Sequence, residues 1–345
     1  MTERFFHTRL APSPTGALHL GHARTFLLTW WTARQAGARI SMRMEDLDAG
    51  RAKAESVGQA YADLRWLGMD WDPFPETPNT KLKTQNEVVQ SERMGLYAEA
   101  LQRLWERGAV YPCVCTRADI AASVAGSVGA PHEGEGNVRY PGTCRGKTQN
   151  AKRQTQNVEE VERMVREETG KKVCWRLRVE EGVVGFEDLV AGRQGFDVGA
   201  EVGDFPVTRF EGVWPRPAYQ LACVVDDHAM GIDLVMRGDD LLSSTPRQIL
   251  LYRALGWEPP KFAHVPLVIG ADGKRLAKRH GESRIAQFRE RGVSAERVVG
   301  WVAWRSGQSD SLREMSAAEV LGRFDLGRVP RERIVLGEED LAWLM

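Results

Sequence analysis

The sequence predicts an α/β protein built on a parallel sheet. Three observations point there: strand, helix and strand alternate within the first forty-odd residues, strand-like apolar runs and a helix return after Glu201, and the tail is mostly helical. Phe5 to Leu10 reads as a short strand, stopped by Pro12 and Pro14, whose missing N–H groups cannot continue a ladder. From Leu20 the apolar residues Leu20, Ala23, Leu27, Trp30 and Trp31 share one helical face, and Gly37 is placed to end that helix. Arg39 to Met44 is the next strand, which makes a βαβ unit and calls for parallel pairing. Further helices are predicted at Ala54 to Leu67 and Ser91 to Arg107, separated by a polar surface excursion from Pro73 to Gln90. Ala118 to Gln156, rich in Gly, Ala, Asn and Gln, reads as an irregular insertion.

In the second half, Leu221 to Val225 and Ile232 to Met236 read as buried strands. Thr245-Pro246 is an N-cap and first-turn pair for a helix from Arg247 to Leu255, ended by Gly256. Val265 to Ile269 leads into a tight turn at Asp272-Gly273, and helical patterning runs from Glu282 onward.

Charge and composition narrow the classes. Lys and Arg number 47 and so do Asp and Glu, which argues against a uniformly basic nucleic-acid coat but not against a local patch. Such a patch exists: residues 274 to 297 hold eight Lys/Arg against three Glu. No 18-residue apolar stretch and no signal-peptide layout are found, so a cytoplasmic protein with no membrane partner is expected. Five cysteines, an odd number, make a disulfide scaffold unsuited and leave thiols for packing or metal; Cys174 and Cys223, in apolar runs, read as packing. Trp30, Trp66, Trp105 and Trp301 fall at apolar helical positions and read as core rather than as base-stacking platforms.

Three clusters carry chemistry. His19-Leu-Gly-His22 follows a strand and a Pro-rich turn and opens a helix, where free N–H groups, the dipole and two imidazoles suit a phosphate; taken alone it is equally a helix start with surface histidines. The basic run Lys274 to His280 is placed to reach the same strand ends, or is a solvated face. Cys113-Val-Cys115 with Cys144 supplies three soft ligands of a tetrahedral shell, or three buried thiols.

Together the motifs resemble class I glutamyl-tRNA synthetases. Arg9-Leu-Ala-Pro-Ser-Pro-Thr-Gly16, His19–His22, Arg43-Met-Glu-Asp46, Gln90-Ser-Glu-Arg93, Val224-Val-Asp-Asp227, Arg237-Gly-Asp-Asp240, Ser244-Thr-Pro-Arg-Gln248 and Asp272 to Gly281 match in order across roughly residues 4 to 281. The resemblance implies a Rossmann-type catalytic domain split by a zinc-bearing insertion, with a short helical C-terminal segment. The expected divisions are 1–110 and 204–270 for the two catalytic halves, 111–203 for the insertion, and 271–345 for the signature loop and helical end. The family's "HIGH" and "KMSKS" signatures correspond to His19–His22 and Arg275–Arg279. Arg275 replaces the first lysine and Ala277 the serine, while Lys278 is kept.

By this resemblance ATP, with Mg²⁺, meets His19, Gly21, His22, Arg275 and Lys278, of which His19, His22 and Lys278 are catalytic. L-glutamate meets Arg9, Ala11, Ser13, Glu45, Tyr219 and Arg237, with Arg237 gripping the side-chain carboxylate through a bidentate fork. One structural zinc is implied at Cys113, Cys115, Tyr140 and Cys144, with His132 as the other candidate for the fourth ligand.

Only 64 residues follow Gly281, too few for the family's anticodon-reading domain. That layout resembles the truncated branch which activates glutamate without tRNA and attaches it to queuosine in the anticodon stem-loop of tRNA(Asp), here as a monomer. The alternatives are a catalytic fragment charging the 3′ end of tRNA(Glu) and a non-catalytic paralogue binding RNA.

Overall fold

A computed structural model describes residues 6–47, 54–74, 87–125, 139–147, 155–274, 276 and 283–345. β1 (His7–Leu10) and β2 (Arg39–Met44) pair in parallel, with His7 opposite Arg39, and α1 (Leu20–Gln35) is their crossover. After α2 (Ala54–Trp66), β3 (Glu87–Val89) pairs in parallel with β2. Val88 is fully buried, so the end of the expected polar excursion is a strand of the sheet rather than a surface loop; three residues are too few for a periodicity to announce it. Residues 75–86 of that excursion lie outside the described residues. α3 (Met94–Glu106) follows.

Between the two halves lie β4 (Val110–Cys113), α4 (Arg117–Ala125), α5 (Val158–Thr169), β5 (Cys174–Leu177), β6 (Val183–Asp188), β7 (Gly192–Asp197) and the single turn α6 (Val198–Glu201). Regular structure therefore includes α4, inside the stretch expected to be irregular, and resumes at Asn157 rather than after Glu201. The signals were present: the Asn157 carboxamide oxygen accepts from the N–H groups of Glu159 and Glu160, and Gly170 ends α5 at φ +66°. β4 and β5 are antiparallel, with Cys113 opposite Cys174.

The next elements are α7 (Tyr219–Ala229), β8 (Leu234–Gly238), α8 (Thr245–Leu255), β9 (Lys261–Val265) and β10 (Val268–Ile269). Leu221 to Val225, expected as a strand, lies in α7. Every residue from Gln220 to Asp227 is buried, and a helix buried all round produces the same unbroken apolar run as a central strand. The α8 N-cap is Ser244, and Thr245 is the first helical residue.

β8 and β9 are parallel, β9 meets β6 in parallel at Asp188 opposite Phe262, and β7 is antiparallel to β6. The β6 strand, within 111–203, thus joins the same sheet as β8 and β9. β1 abuts β8: the Asp233 N–H donates to the His7 carbonyl at 2.8 Å and the Thr8 hydroxyl to the Leu234 carbonyl at 2.8 Å. The spatial order is β3-β2-β1-β8-β9-β6-β7. From β1 the chain crosses to β2 on one side, and from β8 to β9 on the other. The reversal opens a crevice beyond the C-terminal ends of β1 and β8.

The C-terminal segment comprises α9 (Ile285–Glu290), α10 (Ala295–Arg305), α11 (Ala317–Leu321), β11 (Ile334–Val335) and α12 (Glu338–Leu344). It packs on α1: Trp31 donates its indole N–H to the Ala317 carbonyl at 2.9 Å, and buried Arg24 reaches Ser306 and the Pro266 carbonyl. β11 pairs in parallel with β10, bracing the strand that leads to the basic run. Of the tryptophans expected in the core, Trp30, Trp105 and Trp301 are buried and Trp66 packs against it half-buried; Trp31 and Trp175 are buried as well, and Trp105 meets Trp175 edge-on at 5.3 Å. None of the described helices is long and apolar enough to cross a membrane.

Candidate active site

The crevice is a cavity of about 610 Å³ at the ends of β1 and β8. Its walls include Arg9, Ala11, Ser13, Gly16, His19, Gly21, His22, Glu45, Tyr219 and Arg237, so the residues expected to meet glutamate and the described ones among those expected to meet ATP converge on one space. Arg275 and Lys278 lie outside the described residues. Their neighbours do reach the crevice: Leu276, Ser283 and Arg284 line it, and the Ile285 N–H donates to the Leu18 carbonyl at 2.9 Å beside His19.

At one end the two histidines cap α1. His19 Nδ1 accepts from the Gly21 N–H at 3.2 Å, His22 Nδ1 accepts from the His19 N–H at 3.3 Å, and the rings stack 3.8 Å apart. An Nδ1 that accepts leaves the proton on Nε2, so both neutral imidazoles are Nε2–H donors at a helix N-terminus, an arrangement suited to a phosphate. Gly21 leaves room for the His19 ring: a Cβ there would stand 3.1 Å from its Cε1 and Nδ1, close enough that the ring would have to shift.

The other end is a buried charge array. Arg9, 4% exposed, donates Nε to Asp227 at 3.1 Å and Nη1 to the Met236 carbonyl at 3.3 Å. Arg43, fully buried, donates to the same Asp227 oxygen and, at 2.9 Å, to Glu45 Oε1. Burial would raise the Asp227 pKa, but the guanidiniums of Arg43 and Arg9 outweigh it and hold the carboxyl below its ordinary value. Glu45 Oε2 lies 3.4 Å from the Ser13 hydroxyl, at the cavity edge. Arginine 43 and Asp227 therefore set Arg9 and Glu45 in place from behind. The signal that could have marked them is charge inside otherwise apolar elements, since β2 is buried from Ile40 to Met44 and α7 from Gln220 to Asp227.

Arg237, on β8, is 5% exposed. Its Nε donates to His264 Nε2 at 3.0 Å, and its Nη2 to Thr245 Oγ1 and Gln248 Oε1, each at 2.8 Å. Nη1 is buried without a hydrogen-bond partner among the described residues. Protein acceptors thus occupy Nε and Nη2, the edge a bidentate fork would use, and only Nη1 is left without an acceptor among the described residues. Tyr219, 40% exposed, opens α7 at the rim.

The cysteine cluster lies apart, in the inserted region. Sγ atoms of Cys113, Cys115 and Cys144 fall within 4.8 Å of one another. Cys115 and Cys144 are 3.5 Å apart, and the Tyr140 hydroxyl is 3.4 Å from Cys113 Sγ and 3.7 Å from Cys115 Sγ. Ligands on a tetrahedral zinc with bonds of about 2.3 Å stand roughly 3.8 Å apart, so the three sulfurs, with the Tyr140 oxygen beside two of them, suit such a shell. The hydrogen bond to Cys113 and burial push the Cys144 thiol up to about 12, and a metal bound there would have to displace its proton. His132 lies outside the described residues. Cys174 is buried beside Cys113 in the β4–β5 register but outside the trio, and Cys223 is buried at 3.8 Å from Glu45 Oε1.

A parallel sheet with a switch point, a histidine-capped helix and a buried charge array opening on one cavity form the architecture of a class I aminoacyl-tRNA synthetase catalytic domain. Residues 6–343 match the family described as tRNA synthetases class I (E and Q), catalytic domain; the chain belongs to that family and is a ligase. It is 47% identical to the glutamyl-Q tRNA(Asp) synthetase of Symbiobacterium thermophilum, with 97% of each chain covered. It is 43% identical to the protein of that name in Nitratidesulfovibrio vulgaris, over 95% of this chain and 94% of the relative. Glutamate–tRNA ligase 2 of Syntrophus aciditrophicus is 39% identical over 97% of this chain and 65% of its own length. Among solved structures, the glutamate–tRNA synthetase of Elizabethkingia anophelis superposes with a TM-score of 0.76 at 26% identity, covering 99% of this chain and 70% of that one.

Proposed function

We propose that the protein activates L-glutamate with ATP in the absence of tRNA and then transfers the glutamyl group to queuosine in the anticodon stem-loop of tRNA(Asp). In the first step a carboxylate oxygen of glutamate attacks the α-phosphate, pyrophosphate leaves, and glutamyl-adenylate remains. In the second a queuosine hydroxyl attacks the acyl carbon, losing its proton as AMP departs. The observation that carries the first step is the meeting, in one cavity, of the histidine-capped α1 terminus with buried Arg9, Glu45 and Arg237. Such transfers need alignment and charge stabilisation more than covalent help.

In this reading His19 and His22 donate Nε2–H groups to phosphate, Gly21 leaves room for them, and Arg275 with catalytic Lys278 holds the departing pyrophosphate that Mg²⁺ screens. Arg237 Nη1 takes the side-chain carboxylate, Arg9 an oxygen of the α-carboxylate, and Glu45 the ammonium. Ala11, Ser13 and Tyr219 complete the walls. The queuosine acceptor rests on the names of the relatives at 43–47% identity. Cys113, Cys115, Tyr140 and Cys144 would hold one structural zinc, which ties β4 to the loop at Tyr140–Cys144. The protein acts as a cytoplasmic monomer, and its catalytic sheet takes strands from both sides of 111–203 and, through β6 and β7, from within it.

The test is glutamate-dependent pyrophosphate exchange without tRNA, followed by transfer of labelled glutamate to tRNA(Asp) with and without queuosine. Label confined to queuosine-containing tRNA(Asp) is expected. A strict requirement for tRNA(Glu), or label at a 3′ terminus, would refute it in favour of the glutamate–tRNA ligase activity named for the relative at 39% identity.

A further inference from the structure

Behind Arg237 lies a fully buried pair with no part in the chemistry above. Asp188, the last residue of β6, and His264, on β9, have side chains without solvent exposure. His264 Nδ1 is 2.6 Å from Asp188 Oδ2, and His264 Nε2 is 3.0 Å from Arg237 Nε and 3.1 Å from Thr245 Oγ1. A guanidinium can only donate, so His264 Nε2 must accept, and its ring proton must sit on Nδ1, donated to Asp188. Asp188 is held in turn: its Oδ1 accepts from the backbone N–H groups of Val190 at 3.0 Å, Ala191 at 2.8 Å and His264 at 3.0 Å.

We infer that Asp188 and His264 are positioning residues for acidic-substrate selection: by fixing the acceptor tautomer at His264, Asp188 locks the guanidinium of Arg237, a residue lining the cavity, with Nη1 as its uncommitted group. This rests on the glutamate reading of the pocket. The network consumes three of the five Arg237 N–H donors in one orientation, since Nε and both Nη2 hydrogens have acceptors and Nη1 has none among the described residues. An acidic ligand group then meets a pre-aimed donor rather than one it must order, which is where such a network adds affinity. The neutral imidazole agrees with its surroundings: burial lowers the His264 pKa, and Arg237 adds to this against the opposing carboxylates of Asp188 and Asp239.

Asp188→Asn inverts the tautomer at constant shape. Its carbonyl oxygen keeps the three backbone contacts, but its NH₂ faces His264 Nδ1, which moves the ring proton to Nε2, against the Arg237 Nε–H. In pyrophosphate exchange the glutamate KM should rise about tenfold or more, while kcat at saturating glutamate and the KM for ATP stay within about twofold. His264→Gln retains an acceptor carbonyl for Arg237 whatever residue 188 is. In that background Asp188→Asn should therefore add no further rise in KM, whereas His264→Leu alone should reproduce the defect. The inference is overturned if Asp188→Asn leaves the glutamate KM within twofold, or raises it equally in both backgrounds as a general structural defect would. If Asp188→Asn does not fold, equal glutamate KM values for His264→Gln and His264→Leu overturn it. A wild-type enzyme with no glutamate-dependent exchange instead refutes the glutamate reading itself, and the inference with it.

Discussion

Replacing Asp227 by Asn tests the buried charge array behind the crevice. Asp227 is 3% exposed and is shared by Arg9 and Arg43, while Glu45 takes a second donor of Arg43, so two guanidiniums face two carboxylates. The amide keeps the shape and removes one charge, leaving a buried net cation. Each ion pair at contact is worth about 4 kcal/mol at an effective dielectric near 20, but the desolvation already suffered by the arginines is not recovered, and breaking a buried pair costs about 3–5 kcal/mol overall. With an unfolding entropy of roughly 2.1 cal/mol/K per residue, a chain of 345 residues loses about 0.7 kcal/mol per kelvin near Tm, so the expected drop is about 4–7 °C. Scanning calorimetry at pH 7 reads this directly. The sign with pH also follows: the folded-state pKa of Asp227 is depressed, so its contribution is complete above the unfolded value of about 3.9 and is lost as pH falls through the lower folded value. The gap between wild type and variant should be level from about pH 8 to 5 and shrink below about pH 4. A variant within about 1 °C of wild type at pH 7, or a gap that widens on acidification, would refute the reasoning.

Two further outcomes are expected. Cys115→Ser should lower bound zinc from roughly one per chain to a small fraction, read by a colorimetric metal assay after denaturation, and wild type given a strong chelator should show the same loss of Tm as the variant. Zinc content unchanged by the substitution would count against the cluster. Gly21→Ala should leave Tm nearly unchanged, since helix propensity worth up to about 1 kcal/mol offsets the contact with His19, yet displacing that ring should lower kcat for pyrophosphate exchange by about tenfold; unaltered exchange would show the ring is not held by Gly21.

How far the sequence spoke depended on the kind of signal. α1 was readable because its apolar residues keep helical spacing, and β2 because its bounds are set by Gly37 and by polar residues after Met44. Leu221 to Val225 misled because burial on every side erases periodicity: strand and helix then look alike, and the difference lies in neighbours contributed by β1, β2 and α3. β3 was hidden by its three-residue length, and α5 by attention to composition over its Asn157 and Gly170 caps.

The site divides along the same line. Local order in the chain determined that two imidazoles and a glycine open α1, because a cap involves residues within three positions of one another, and it placed Cys113 and Cys115 on one strand end. Only the tertiary structure decided which arginines face which carboxylates. Arg9 and Asp227 are 218 positions apart, and Asp188 and His264 are 76 apart. Such pairs meet through sheet order, not through spacing in the chain. The same packing decided which Arg237 donors the protein itself takes up, since Nε and Nη2 are claimed by groups on α8 and β9 that no reading of β8 alone reveals.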